Sequence, residues 1–517
     1  MILLDLLLVL LIAGLLAWVA EKWNAWLPRI ISLIAISLNL FLVLAAYLKS
    51  YPNGQNSWLI DYKVSWIPHF GINFHLALDG LSMIMVVLTL FIGLIAVIVS
   101  WKEIRERVGF FHFNLLWMLA GITGVFLALD LFLFYFFWEL MLVPMYFMIG
   151  IYGHENRIYA SFKFFIYTQA GGLLMFIAIL ALYFIHGNNT GIYSFDYMDL
   201  LGTSMSEPVS FLLMLGFLAA FLIKLPVVPL HNWMTDAYTE APTAVILAGL
   251  LLKTGTYGLI RFVIPLFPQS SMSFAPVGML LGVIGILYGA KLAFVQTDLK
   301  RLVAYTSVSH MGFIMLGVYS FNIIALQGVV IHVVAHAIST GALIILIGQL
   351  QERIHTKDLN KMGGLWTQVP VMGSMGLIFT LASLGLPGFG NFIAEFFILT
   401  GTFKVNVLMA CLASLGLIVS MIYSLRMLQK VFLGKEVTKW QIPDLSIREK
   451  LVFGSLLFAI FYIGLTPQKV IDAAEPALTG ILNSTVNTAT IITKNLNGEV
   501  IKNNQTYKYY NNIQSRK

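Results

Sequence analysis

Apolar runs of membrane-spanning length follow one another along almost the whole of this sequence. Four ionisable residues, Glu139, Lys224, Lys253 and Glu395, sit roughly mid-way through four of them. A charge at that depth costs at least ~2.5–3.5 kcal/mol on insertion scales, and nothing on a lipid-facing helix offsets it. Such residues face a protein interior or a water-filled path, and their default meaning is ion or proton conduction.

Composition agrees with a polytopic membrane protein. Of 517 residues 59% are hydrophobic and 11% charged, against about 25% charged in a soluble domain. With ~20 apolar residues needed per span, about fourteen spans fit. They lie near 2–20, 29–48, 79–100, 111–130, 131–151, 162–186, 209–230, 241–264, 275–296, 301–320, 323–350, 370–400, 405–430 and 449–466. The first lacks a basic start and a small-residue cleavage site, and reads as a retained helix. A single cysteine, Cys411, excludes disulfides within the chain and cysteine-ligated iron–sulfur clusters. No phosphate- or dinucleotide-binding glycine loop follows a strand.

The net charge of +7 comes from short loops rather than a nucleic-acid face. Of the 31 Lys and Arg, 18 fall in odd-numbered loops and nine in even loops and the C-terminal tail. The positive-inside rule then makes the odd loops cytoplasmic, or matrix-side, with both termini on the opposite face.

Two segments read as broken helices. Phe221–His231 contains Pro226 and Pro229 beside Lys224, and Leu384–Glu395 contains Gly385, Pro387, Gly388 and Gly390. Each proline removes a backbone donor and frees a carbonyl, which neighbours or water must satisfy in lipid. Broken helices with ionisable residues recur at corresponding positions of transporter repeats. Here they are five spans apart, so spans 4–8 and 9–13 form an inverted pair. The expected fold is an all-α polytopic membrane protein of about 14 transmembrane helices. It has two inverted five-helix repeats with discontinuous seventh and twelfth helices. Its parts are N-terminal helices over 1–110, a first repeat over 111–265, a second over 266–435, a C-terminal helix over 436–480, and a disordered polar tail over 481–517.

Burial penalises the charged form of Glu139 and of the lysines, and a partner whose distance can change would load and unload a lysine proton. The alternative is a static ion pair between Glu139 and Lys224, which says little about stability. His310, His332 and His336 are also intramembrane, with His332 and His336 at i, i+4 on one face. Three readings compete: a haem or metal ligand set, a proton relay, and core histidines bonded to carbonyls. Haem ranks last, because His310 alone could face the pair. No residue is expected to bind a metal or cofactor. Lys291 reads as a snorkelling lysine, Asp130, Lys163 and Arg261 as loop or interface charges, and Asp298, Lys300 and Arg301 as a solvated helix start.

Several motifs resemble the antiporter-like membrane subunits of respiratory complex I. They are Trp138-Glu139-Leu140-Met141-Leu142-Val143-Pro144, Lys224-Leu225-Pro226-Val227-Val228-Pro229-Leu230-His231, and the run from Gln296 to Gly312 that contains Asp298-Leu299-Lys300-Arg301 and Ser309-His310. Gly363-Gly364-Leu365-Trp366 and Leu386-Pro387-Gly388 complete the set. The resemblance covers roughly 80–465, and is closer to M-type subunits than to L- or N-type subunits or Mrp antiporter subunits. It implies a proton-translocating module without redox centres, with NADH, FMN, iron–sulfur clusters and quinone on other subunits. Neighbouring L- and N-type subunits would be its partners. The setting would be the bacterial inner (plasma) membrane, or the mitochondrial inner membrane as the alternative. In such a module Glu139 tunes Lys224, Lys253 connects the half-channels, and His336 stands between Lys253 and Glu395, the exit group. His310 and His332 are further candidates.

One stretch departs from the family pattern. Thr235 and Tyr238 replace a proline and a histidine, and a Gly-Ser pair is missing before Val245. A two-residue deletion in a continuous helix rotates its downstream part by about 200° and shifts it about 3 Å. The intact run from Leu247 to Gly255 implies that the loop absorbs it. Two other functions remain open beside the redox-linked pump: a stand-alone cation/proton antiporter, and an antiporter-like scaffold that does not pump. Carboxylates serve Na+ as well as H+.

Overall fold

The computed structural model describes residues 1–50, 58–247, 251–436, 438 and 440–497. Among them ten helices are long and apolar enough to cross a membrane. Ile447–Leu465 with the bent continuation Gln468–Thr485 would make eleven. The expected fourteen is therefore not reached by that criterion. Helical segments nevertheless lie at every expected span. Leu299–Val318 is continuous but polar in its first half. The eighth and twelfth spans are divided into pieces too short to count. The tail also differs from expectation. Helix Gln468–Asn497 runs through the first part of the stretch expected to be disordered, and the rest of that stretch lies outside the described residues.

The seventh and twelfth spans break as expected, and in the same way. Helix Glu207–Lys224 ends with Leu225 N–H bonded to Phe221 O, and Val227 N–H then reaches Leu222 O at 3.0 Å. Helix Pro370–Ser383 ends with Leu384 N–H on Thr380 O, and Leu386 N–H reaches Leu381 O at 3.2 Å. Each break frees a carbonyl that a side chain from the following half-helix satisfies. Trp233 Nε1 donates to Ile223 O at 2.9 Å, and Asn391 Nδ2 donates to Ala382 O at 2.9 Å. Gly385 and Gly388 take φ of +74° and +101° at the second break, a region costly for other residues. The charges are not placed equivalently, however. Lys224 is the last residue before its break, whereas Glu395 lies in the half-helix Gly390–Val405 beyond its own.

Small residues set the helix spacing. Gly282, Gly285 and Gly289 of Pro268–Val295 lie along Gly312 and Ser309 of Leu299–Val318, and a Cβ on Gly282 would stand 2.8 Å from Gly312 O. Without a hydrophobic drive between helices in lipid, such close approach supplies van der Waals contact. Helix Ile323–Ile354 is buried over nearly all its length. It packs on Leu299–Val318, Pro370–Ser383 and Gly390–Val405, so it forms the centre of the molecule.

The long loop before the third span is not a simple linker. Ile60–Ile67 and Ile72–Leu78 form an antiparallel hairpin with a bulge between Ser65 and Ile67. Beneath it Asp79 caps helix Gly80–Glu103 by accepting from Ser82 N–H at 2.8 Å, and pairs with Arg261. Arg261 lies on the π-helical turn Leu259–Val263 and donates to Tyr257 Oη at 3.3 Å. It is 3% exposed, so the expectation of an interface charge is corrected to a buried ion pair. Asp130 is corrected likewise. It is buried and caps Leu131–Leu140 through Phe132 and Leu133 N–H. Removing one partner of a buried pair leaves an uncompensated charge, at a cost of about 3–5 kcal/mol. Arg261→Met should therefore lower the thermal unfolding midpoint of the detergent-purified protein well below that of Asp79→Asn/Arg261→Met. Equal midpoints would show that the pair carries no such burden.

Candidate functional site

Four helices contribute to one buried polar row. Lys253 comes from Leu251–Gly258, His336 from Ile323–Ile354, His310 from Leu299–Val318 and Glu395 from Gly390–Val405. Lys253 Nζ lies 3.0 Å from His336 Nδ1. The His336 and His310 rings have centroids 5.2 Å apart, and His310 Nδ1 is 3.4 Å from Glu395 Oε1. None of the four is more than 4% exposed. The resemblance implies His336 between Lys253 and Glu395, with His310 and His332 as further candidates, and His310 is the one that meets the carboxylate. His332 flanks the row, its ring 5.3 Å from that of His310 and 6.1 Å from that of His336.

The second helix break brings Glu395 into this row. A Cβ at Gly385 would stand 2.5 Å from Glu395 Oε2, so only glycine lets the broken backbone pass so close to the carboxylate. Glu395 also borders a cavity of about 360 Å³ lined by Gly385, Leu386, Phe392, Phe396, Leu417 and Met421.

Lys253 has its own small cavity of about 20 Å³, bounded by Tyr238, Ile246, His336 and Thr340, which is room for one water. Tyr238 is one of the residues that depart from the family motif. The missing Gly-Ser pair does not turn Lys253 away, since the lysine still meets His336. Part of the reason is an anchor at the restart of the span. The Glu103 carboxylate accepts from Thr243 N–H at 2.6 Å and Ala244 N–H at 3.0 Å, tying helix Thr243–Leu247 to the third span. Ala248, Gly249 and Leu250, within the run read as intact, lie outside the described residues.

Glu139 and Lys224 meet less directly than sequence suggests. Lys224 is fully buried and its Nζ has no hydrogen-bond partner among the described residues. It lies over the Trp138 ring at 5.4 Å and the Phe164 ring at 5.3 Å, a desolvated cation–π arrangement. Glu139, next to Trp138, is half-buried on helix Leu131–Leu140, against Gly172 and beside Tyr135 and Gln169. No contact ion pair joins the two among the described residues, so a static lock between these helices is not what the geometry contains.

Charged layers close the bundle at both ends, and sequence reading missed most of them. At one end Asp236 binds Lys163 and Arg301, both at 2.6 Å, and Asp298 caps Leu299–Val318. Lys300, expected to be solvated, is 3% exposed. Its Nζ donates to His154 Nε2 at 3.1 Å and Ala241 O at 3.3 Å. Burial, with the charges of Lys300 and Lys357, pushes the His154 imidazole down to about 4, so it accepts as a neutral ring. Lys291 is exposed, as a snorkelling residue should be. At the other end His75 Nδ1 and Lys63 Nζ each lie 2.6 Å from Asp196, and His75 Nε2 is 3.1 Å from Asp61. Burial opposes charge on His75, but the hydrogen bond and charge of Asp196 prevail and raise its affinity for a proton. A histidine five residues before an apolar run gave no sequence signal, because its partner lies 121 positions away.

Comparison with known proteins gives this geometry a context. The transmembrane family described as NADH:quinone oxidoreductase/Mrp antiporter matches residues 128–422. The chain is 51% identical to NADH-quinone oxidoreductase subunit M of Pseudomonas aeruginosa over 93% of its length and 97% of the relative's. It is 50% identical, with the same coverage, to the subunit M of Escherichia coli K12. A chain of respiratory complex I from Thermus thermophilus superposes with a TM-score of 0.84 at 30% identity, covering 94% of this chain and 99% of that one. The family match over 128–422 spans both broken helices and every residue of the buried row. The chain therefore belongs to the NADH-quinone oxidoreductase subunit M family of antiporter-like membrane proteins.

Proposed function

We propose that this protein is a proton-translocating subunit of a bacterial inner-membrane NADH-quinone oxidoreductase, with protons moving along the buried row. Quinone reduction elsewhere in the complex drives the transfer, and NADH, FMN, iron–sulfur clusters and quinone are held by other subunits. Its membrane neighbours are the L- and N-type antiporter-like subunits. The observation that carries the reading is Lys253, His336, His310 and Glu395 in sequence across four helices.

The chemistry follows from what these groups can hold. Lysine, histidine and carboxylate each exist with or without a proton, and histidine can accept on one nitrogen and donate from the other. Lys253 passes its proton to His336 within hydrogen-bond reach. The His336–His310 step is longer and needs a ring rotation or an intervening water. Both His310 nitrogens and His336 Nε2 are without hydrogen-bond partners among the described residues, so the facing sides of the two rings are free to take a proton, while His336 Nδ1 stays on Lys253. Glu395 then exchanges protons at the second helix break. Lys224 is loaded from its own side, and the half-buried Glu139 favours the charged lysine when it approaches. A stand-alone antiporter would use the same row, but 50% identity to oxidoreductase subunits over nearly the whole chain favours the redox-linked role.

Lys224 must lose its proton to work, and a guanidinium does not deprotonate in proteins. Lys224→Ala and Lys224→Arg should both lose coupled proton translocation in membrane vesicles. An arginine variant that pumps normally would refute a titrating lysine. The two histidines separate a row from a cluster. His310→Leu should reduce proton translocation about 100-fold or more, the loss expected for removing a positioned proton-transfer group. His332→Leu should cost much less. Equal losses would mean that protons do not take the path through His310.

A further inference from the structure

We propose that His310, His332 and Glu395 form a binding site for Zn2+, and that the bound ion locks the buried row. One nitrogen of each histidine and one carboxylate oxygen lie within 4.8 Å of one another. His310 Nδ1 and Glu395 Oε1 are already 3.4 Å apart. Ligand bonds of about 2.0–2.1 Å in a tetrahedral zinc site put neighbouring donor atoms roughly 3.3 Å apart. Small side-chain rotations close the remaining gap. The three donors come from three helices packed directly on each other, Leu299–Val318, Ile323–Ile354 and Gly390–Val405, so closure needs no backbone rearrangement.

A second observation points the same way. His310 is 2% exposed and His332 is fully buried, yet neither ring nitrogen of either residue has a hydrogen-bond partner among the described residues. Buried polar groups are nearly always bonded, and each exception needs an explanation. Two imidazoles, each with a nitrogen to offer, and a carboxylate make a three-ligand set that zinc accepts, with a fourth position left for water. Imidazole donors favour zinc and its transition-metal neighbours over Mg2+ or Ca2+, which prefer oxygen-only sites.

The surrounding charges give the site its consequence. Lys253 faces it across His336, and Tyr423 stands beside Glu395. The carboxylate offsets one of the two metal charges. A protonated Lys253 would add a repulsion that the low-dielectric interior screens poorly. A bound ion thus holds Lys253 without its proton and removes His310 and Glu395 from exchange. The locking half of this inference rests on the proton-transfer reading above, and the binding half does not.

The test uses the assembled oxidoreductase in proteoliposomes, with Zn2+ alone as probe. Zinc affinity is read by competition with a chelating indicator, ligation by zinc X-ray absorption, and proton translocation alongside redox turnover. His332→Gln should weaken one zinc site by at least the about 10–100-fold that outer-shell changes already cost. The zinc concentration for half-inhibition should rise by the same factor, and one imidazole should disappear from the absorption spectrum. The near-isosteric Glu395→Gln is the second variant, read by affinity and spectrum should His332→Gln fail to assemble. Unchanged affinity and spectrum would overturn the site. Zinc bound as expected with translocation unaffected would overturn the locking role and count against the proton row, while leaving the site in place.

Discussion

The structure depends on one constraint: ionisable groups that no lipid can solvate must be surrounded by protein that solvates them. Every feature near the centre serves this. Helix Ile323–Ile354 is buried almost throughout and carries His332 and His336. Lys224, without a hydrogen-bond acceptor among the described residues, lies between two aromatic faces. Lys253 finds an imidazole at 3.0 Å. These are weak partners for ammonium groups, and that weakness suits the titrating role proposed for them. Where charge is structural the pairing is complete, as at Asp79–Arg261 and Arg353–Glu449. The molecule thus separates fixed charges at its ends from loosely held ones at its middle.

The helix breaks follow from the same constraint. A continuous helix has no free backbone group to offer and little room for water. Pro226 and Pro387 interrupt two helices at the depth of the charges, and each interruption is closed by the same five-residue hydrogen bond and the same kind of side-chain clamp. This likeness supports the expected inverted repeat where residue identity does not. The two halves then diverge, with lysine before one break and glutamate after the other. They therefore present their ionisable groups differently to the row.

Much of this was legible in the sequence, for a local reason. A charge inside an apolar run is anomalous by itself, so Glu139, Lys224, Lys253 and Glu395 announce themselves, as Pro and Gly announce the breaks. The hidden part depends on helix crossings. That His310 rather than His336 meets Glu395 is decided by how three helices pack. Lys300 looks solvated beside Arg301 until His154 and Ala241 arrive from other loops. Arg261 looks like an interface charge until Asp79, 182 positions away, is seen to face it. The span count suffers from the opposite problem: the segments that carry Lys253, His310 and Glu395 are polar or broken and fail a test of length and apolarity, whereas Ile323–Ile354, with His332 and His336, passes it.

The central claim is that Lys253 is the point through which protons enter the histidine row. The most direct measurement is the ratio of protons translocated to NADH oxidised by the assembled complex in vesicles, for Lys253→Met against the unaltered protein. Methionine fills a similar volume without a titratable group. The account predicts that the complex assembles and that this ratio falls, with turnover slowed as the row stalls. An unchanged ratio at normal turnover would contradict it and leave the row a structural polar core.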